Sequence, residues 1–178
     1  MGRIIAIANQ KGGVGKTTTA INLSASLASL GQKVLALDMD PQGNMTSGLG
    51  VNKEEAENTV YDLIIGNVGI EECIYENVIE NLDVLPSNIN LSAAEIELIG
   101  IDNKEYLLKE EVDKIRDRYD FIIIDCPPAL SMLTINAMTT ADSVIVPIQC
   151  EYYALEGLSQ LIHTIELVQE RLNSALEI

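Results

Sequence analysis

Tryptophan is absent from the 178-residue chain and phenylalanine occurs once, at Phe121, so the core must be aliphatic and rings for stacking bases or sugars are scarce. Basic residues are few: 11 Lys and Arg stand against 27 Asp and Glu, a formal net charge of −16. None lies between Glu54 and Asn103, and beyond Arg118 only Arg171 is basic. With no basic stripe, this segment alone is a poor ligand for a phosphate backbone or an anionic membrane. The three cysteines, Cys73, Cys126 and Cys150, are odd in number, widely spaced and set in apolar runs. They read as reduced core thiols rather than a disulfide framework. No apolar run reaches the roughly 18 residues of a membrane span. Met1 leads straight into strand-like sequence without a signal-peptide core, so a soluble, cytoplasmic protein is expected. What remains is a folding composition, 47% hydrophobic and 21% charged, at a length that favours one domain.

Short, continuously apolar runs at 3–9, 33–38, 82–85, 120–125 and 143–148 read as strands buried on both faces. Between the first two, Ala20, Leu23, Leu27 and Leu30 recur at helical spacing, and Gly31 suits the position after a helix end. A short helix is expected near 60–65. Ser92 with Glu95 and Asp102 with Glu105 carry the cap and third-position carboxylate of helix starts. Pro127-Pro128 keeps a loop after the fourth run. Leu158, Leu161, Ile162, Ile165, Val168 and Leu172 form one face of a last helix. Alternating strands and helices predict an α/β, three-layer fold, a doubly wound and mostly parallel sheet with helices on both faces. In such a sheet the loops that follow strands share one edge, which is where ligands bind.

One of those loops, Gln10-Lys11-Gly12-Gly13-Val14-Gly15-Lys16-Thr17-Thr18, has a phosphate loop's strand-to-helix context. Glycines there allow backbone N–H groups to turn inward around phosphate oxygens, and the helix N-terminus adds its positive end. Lys16 reaches terminal phosphates and the Thr17 hydroxyl ligates magnesium. The usual G-x-x-x-x-G-K-[ST] pattern is not strictly met, because Gln10 holds the first glycine position and a second lysine, Lys11, follows it. Asp38 and Asp40 end the second strand run, where Asp also serves as an ordinary turn residue. Asp125 ends the fourth like a Walker B aspartate.

KGGVGKTTT at 11–19, DMDPQGN at 38–44 and FIIIDCPPAL at 121–130 together resemble the deviant Walker A ATPases, specifically their ParA/Soj chromosome- and plasmid-partitioning branch. The resemblance includes CEYYALEGLSQL from Cys150 and covers nearly the whole chain. It implies the P-loop NTPase fold, ATP/ADP with Mg2+, and an ATP-sandwich homodimer acting with a ParB/Spo0J-type centromere-binding protein and nonspecific DNA on the nucleoid. It also implies roles: Lys11 reaching the partner's phosphates, Gly12 at the closest subunit approach, and Gly13, Val14, Gly15, Lys16, Thr17 and Thr18 around the nucleotide. Asp40 would position the attacking water, Thr17 and Asp125 would serve magnesium, and Asp38 would lie close to its shell. Cys126 has no matching second cysteine for an iron–sulfur cluster, as in the related nitrogenase iron protein, and the lone His163 receives no role. The residues at 175–178 look like the start of another strand, with the family's C-terminal strands, helices, adenine contacts and DNA-binding residues expected beyond it. Other readings are a MinD-like membrane-cycling ATPase, a small-molecule ligase resembling dethiobiotin synthetase, and a noncatalytic ATP-binding module.

Overall fold

A computed structural model describes residues 2–150 and 154–178. The chain runs β1 (Arg3–Ile7), α1 (Lys16–Ser29), β2 (Val34–Asp38), α2 (Asn44–Gly48), α3 (Val60–Ile64), β3 (Tyr75–Ile79) and β4 (Leu82–Leu85). It continues through α4 (Leu91–Glu97), α5 (Leu107–Ile115), β5 (Phe121–Asp125), α6 (Met132–Thr140), β6 (Ser143–Ile145) and α7 (Ala154–Arg171). The sheet order is β3-β4-β2-β5-β1-β6, with β3 antiparallel to β4 and every other pair parallel. This is the predicted three-layer arrangement. Central strands are buried on both faces: all five residues of β2 are inaccessible to solvent.

On one face α1 and α2 cover Ile5, Ile7, Val34, Ala36, Val84 and Ile123; on the other, α3 to α7 pack on Ile4, Ala6, Leu35, Leu37, Ile122 and Ile124. The stripe of α1 that meets the sheet is Lys16, Ala20, Ser24 and Ala28 rather than the predicted leucines. Small residues every fourth position let the helix axis approach the strands closely, while Leu23 and Leu27 pack at its flank and Leu30 is 76% exposed. In α7, Leu161, Ile165 and Val168 are buried, whereas Ile162 faces outward.

Other sequence expectations are corrected. The fifth run is a strand only over Ser143–Ile145, and Cys150 is exposed, while Cys73 and Cys126 are core thiols as expected. Ser92 lies inside α4, which starts after Asn90, and Asn103 rather than Asp102 precedes the next turn, in the left-handed region at φ 54°. Strand β3 was not expected, because YENVI sits at the sheet edge with exposed polar residues. At the opposite edge, the Val144 N–H donates to the Glu177 carbonyl at 2.8 Å and the Glu177 N–H to Asp142 at 3.0 Å. Glu177 therefore pairs in parallel with Ser143 where a further strand was expected to start. Among the described residues no helix is long and apolar enough to cross a membrane.

Candidate nucleotide-binding site

Strand register brings the candidate residues together. Asp125 at the end of β5 pairs with Ile7 on one side and with Asp38 on the other, so one row across the sheet holds two carboxylates and the root of the glycine-rich loop. The loops that follow enclose an open cleft of about 370 Å³, lined by Gly12, Gly13, Gly15, Lys16, Thr17, Thr18, Asp40, Gln42, Asn44 and Pro128. Loops distant in sequence thus meet at one sheet edge, as the topology requires.

Gly13 and Gly15 take φ of +73° and +92°, the left-handed region that a side chain strains. Gly15 is also the N-cap of α1, and neither a capping side chain nor an acidic residue serves the first turn. The leading N–H groups of the helix are thereby left to a ligand, and the positive dipole end favours an anion. Val14 is buried and anchors the loop. Lys16 is only 6% exposed, and its Nζ donates to the Lys11 carbonyl at 3.0 Å, bridging the loop from within. Burial lowers its pKa, against which the charges of Asp125 and Asp40 act. The Lys11 N–H donates to Asn9 Oδ1 at 3.0 Å, which fixes the loop's first bend.

Each aspartate has a distinct environment. Asp40 lines the cleft; its Oδ1 accepts from the Gln42 N–H at 2.9 Å, and its own N–H donates to Asp38 Oδ1 at 3.1 Å. Asp38 lies fully buried beneath that turn, and its Oδ2 accepts from both the N–H and the hydroxyl of Thr46, at 2.8 and 2.7 Å. Burial pushes its pKa up to about 6 despite those bonds. Asp125 is also fully buried, yet neither carboxylate oxygen has a hydrogen-bond partner. Burial pushes it up to about 7; the Thr17 hydroxyl beside it acts the other way but stands outside hydrogen-bond geometry. A buried, unsatisfied carboxylate next to a hydroxyl, at the mouth of an uncapped helix, suits a hydrated cation accompanying an anionic ligand. Among the described residues no three His, Cys, Asp or Glu side chains form a protein cage for a metal.

Thr46 and Ser87 carry no chemical motif. The Thr46 hydroxyl accepts from the Ser87 N–H at 2.9 Å, so Asp38 reaches the loop after β4 through one threonine. Only the contact reveals this role, since a Thr three residues past a Gly is unremarkable in sequence. Cys126 is fully buried, with burial pushing its thiol up, and His163 is an exposed side chain 3.9 Å from Glu166. The family-like stretch CEYYALEGLSQL from Cys150 falls partly outside the described residues, at 151–153.

Fold and cleft together define a P-loop ATPase domain, and a family model described as an AAA domain matches residues 2–178. The sporulation initiation inhibitor protein Soj of Bacillus subtilis is 56% identical over 178 residues, covering 100% of this chain and 70% of Soj. The chromosome partitioning protein ParA of Myxococcus xanthus is 52% identical over 177 residues, covering 99% of this chain; the chain spans 62% of that relative's length. Cobyrinic acid a,c-diamide synthase from Mycobacterium smegmatis, solved with bound ADP and magnesium, superposes with a TM-score of 0.95 at 41% identity, covering 99% of this chain and 72% of that one. The chain belongs to the ParA/Soj family.

Proposed function

We propose that the protein is an ATP-binding and hydrolysing switch that forms an ATP-sandwich homodimer in chromosome or plasmid partitioning. The observation that carries this reading is the buried, unsatisfied Asp125 carboxylate beside Thr17 at the uncapped start of α1, where Thr17 and Asp40 line the cleft. Loop N–H groups and Lys16 would hold the phosphates, which removes the need for a bulky apolar pocket at that end of the ligand. Asp40 is suited to orient a water, since one of its oxygens is engaged by Gln42 and the side chain borders the cleft. Thr17 and Asp125 are the residues that would hold magnesium, with Asp38 supporting them from beneath; the ion would supply charge neutralisation at the phosphates. The Mycobacterium structures with ADP or an ATP analogue and magnesium support this choice of ligand.

The dimer reading has its own support. Gly12 is not among the positive-φ glycines, and a β-carbon there would meet nothing within 4 Å among the described residues. Neither strain nor crowding among the described residues calls for glycine at that position, which is compatible with close approach of a ligand or a second copy. Lys11, one residue earlier, would reach the partner's phosphates as a cation in trans. By its likeness to the partitioning relatives, the switch would work in the cytoplasm on the nucleoid, with a ParB/Spo0J-type partner and with nonspecific DNA gripped by the dimer of a longer chain rather than by this acidic segment alone. A small-molecule ligase is the second reading, prompted by the synthase name of the Mycobacterium neighbour. ATP turnover that required a carboxylic acid acceptor would favour it.

The test is the solution mass of Asp40→Ala with and without Mg-ATP. We expect a monomer that becomes a dimer only with Mg-ATP, because hydrolysis no longer resets it. Lys11→Ala and Gly12→Val in that background should bind ATP and remain monomeric. A monomer under all conditions with ATP demonstrably bound would reject the sandwich reading for this chain.

A further inference from the structure

Strands β1 and β6 are adjacent and parallel, so the phosphate loop after β1 and the segment after β6 leave the sheet side by side. Three amide side chains join them. Asn9 Nδ2 donates to the Pro147 carbonyl at 2.8 Å, and Gln149 Nε2 donates to the Gly13 carbonyl at 3.0 Å. Gln10 Nε2 reaches α7, donating to the Gly157 carbonyl at 2.9 Å and to Gln160 Oε1 at 3.1 Å. Gln10 is the residue that stands at the first glycine position of the usual phosphate-loop pattern. A side chain at that position is an oddity which binding of phosphate does not explain.

Gly157 supplies the complementary observation. It lies within α7, where glycine weakens a helix relative to alanine, yet a β-carbon built there would come within 3.0 Å of Gln10 Nε2. Apart from its own helix backbone, the three nearest heavy atoms among the described residues all belong to the Gln10 side chain. A methyl group at 157 would therefore press on the Gln10 amide and push it aside by a few tenths of an ångström, lengthening or breaking its bond to the Gly157 carbonyl.

We propose that Gln10 is a positioning residue for nucleotide binding, which locks the first bend of the phosphate loop to α7 through the Gly157 carbonyl, and that residue 157 is glycine to admit it. The proposal rests on the reading of the loop as an ATP site. Gln10 fixes the backbone immediately before Lys11 and Gly12, so its loss loosens the loop without removing any group that contacts the reacting atoms. Two hydrogen bonds, one of them to an exposed partner, set the expected scale at about five- to tenfold in ATP affinity. Because loop order serves ground state and transition state alike, the effect falls on KM and not on kcat.

The experiment measures binding of a fluorescent ATP analogue, and KM and kcat for ATP, in the full chain and in Gln10→Ala, Gln10→Glu, Gly157→Ala and the Gln10→Ala/Gly157→Ala pair. Gln10→Glu keeps the shape while replacing the donor with an oxygen that faces two acceptors, so it gives a second route should the alanine variant fold poorly. We expect weaker binding and raised KM, with kcat within about twofold, in both Gln10 variants. Gly157→Ala should weaken binding in the parent and have no further effect once Gln10 is alanine. Wild-type binding with unchanged affinity in the Gln10 variants overturns the proposal, as does a Gly157→Ala effect of equal size in both backgrounds. Absence of ATP binding by the wild-type chain would instead reject the nucleotide-site reading itself.

Discussion

Asp125 sets two demands against each other. Its carboxylate is fully buried without a hydrogen-bond partner, and burial raises its pKa from 3.8 to about 7. A raised folded-state value means that the folded protein holds this proton more tightly than the unfolded chain does, so the contribution to stability falls as pH rises from about 4 and reaches its full penalty above about 7. Asp125→Asn should therefore stabilise the ligand-free protein at pH 8 by about 2 kcal/mol, the new amide's own burial offsetting part of the gain. The difference should shrink steadily towards pH 4, as urea unfolding at several pH values would report, while Mg-ATP hydrolysis is lost. A stability difference that does not change with pH would show that the carboxylate charge is not its source. Lys16 follows the same logic with opposite charge: burial lowers its pKa and the neighbouring aspartates restore the charged form.

At the scale of elements, the site depends on links between loops that no periodicity encodes. Thr46 in α2 donates its hydroxyl to Asp38 at the end of β2 and accepts the Ser87 N–H from the loop after β4. Thr46→Val preserves shape and removes both bonds, leaving a buried N–H and a buried carboxylate short of partners. We expect a loss of about 2–4 kcal/mol by denaturant unfolding, together with weaker ATP hydrolysis as the Asp38 to Asp40 turn loosens. Unchanged stability would show that the turn is held by its backbone alone. The strands and the long helices were legible in sequence because continuous apolar runs and the 3.6-residue spacing are local properties. Strand β3 and the caps of α4 and the turn after it were not. YENVI is an edge strand whose side chains remain largely in solvent, and Asn90 and Asn103 displaced Ser92 and Asp102 because backbone turns decided where those helices begin.

For the molecule as a whole, charge makes the clearest statement. At a net charge of −16, the 178-residue chain should not retard duplex DNA in a mobility-shift assay at physiological salt, with or without ATP. Retardation would mean that a local basic surface outweighs the acidic remainder. At the β6 edge Glu177 pairs with Ser143 through an isolated parallel bridge, and Val144 there is buried.

The sequence by itself determined the alternation of buried strands and helices, the phosphate loop with its two lysines, and the candidate aspartates, since each is written in contiguous residues. Only the tertiary structure decided that Asp38 and Asp125 share one row of the sheet, that Asp38 is spent on Thr46 while Asp125 is left without a partner, and that Gln10 reaches Gly157. Strand register brings Asp38 and Asp125 together across 87 positions, and the neighbourhood of β1 and β6 brings Gln10 to Gly157 across 147; partners chosen at that range leave no local pattern to read.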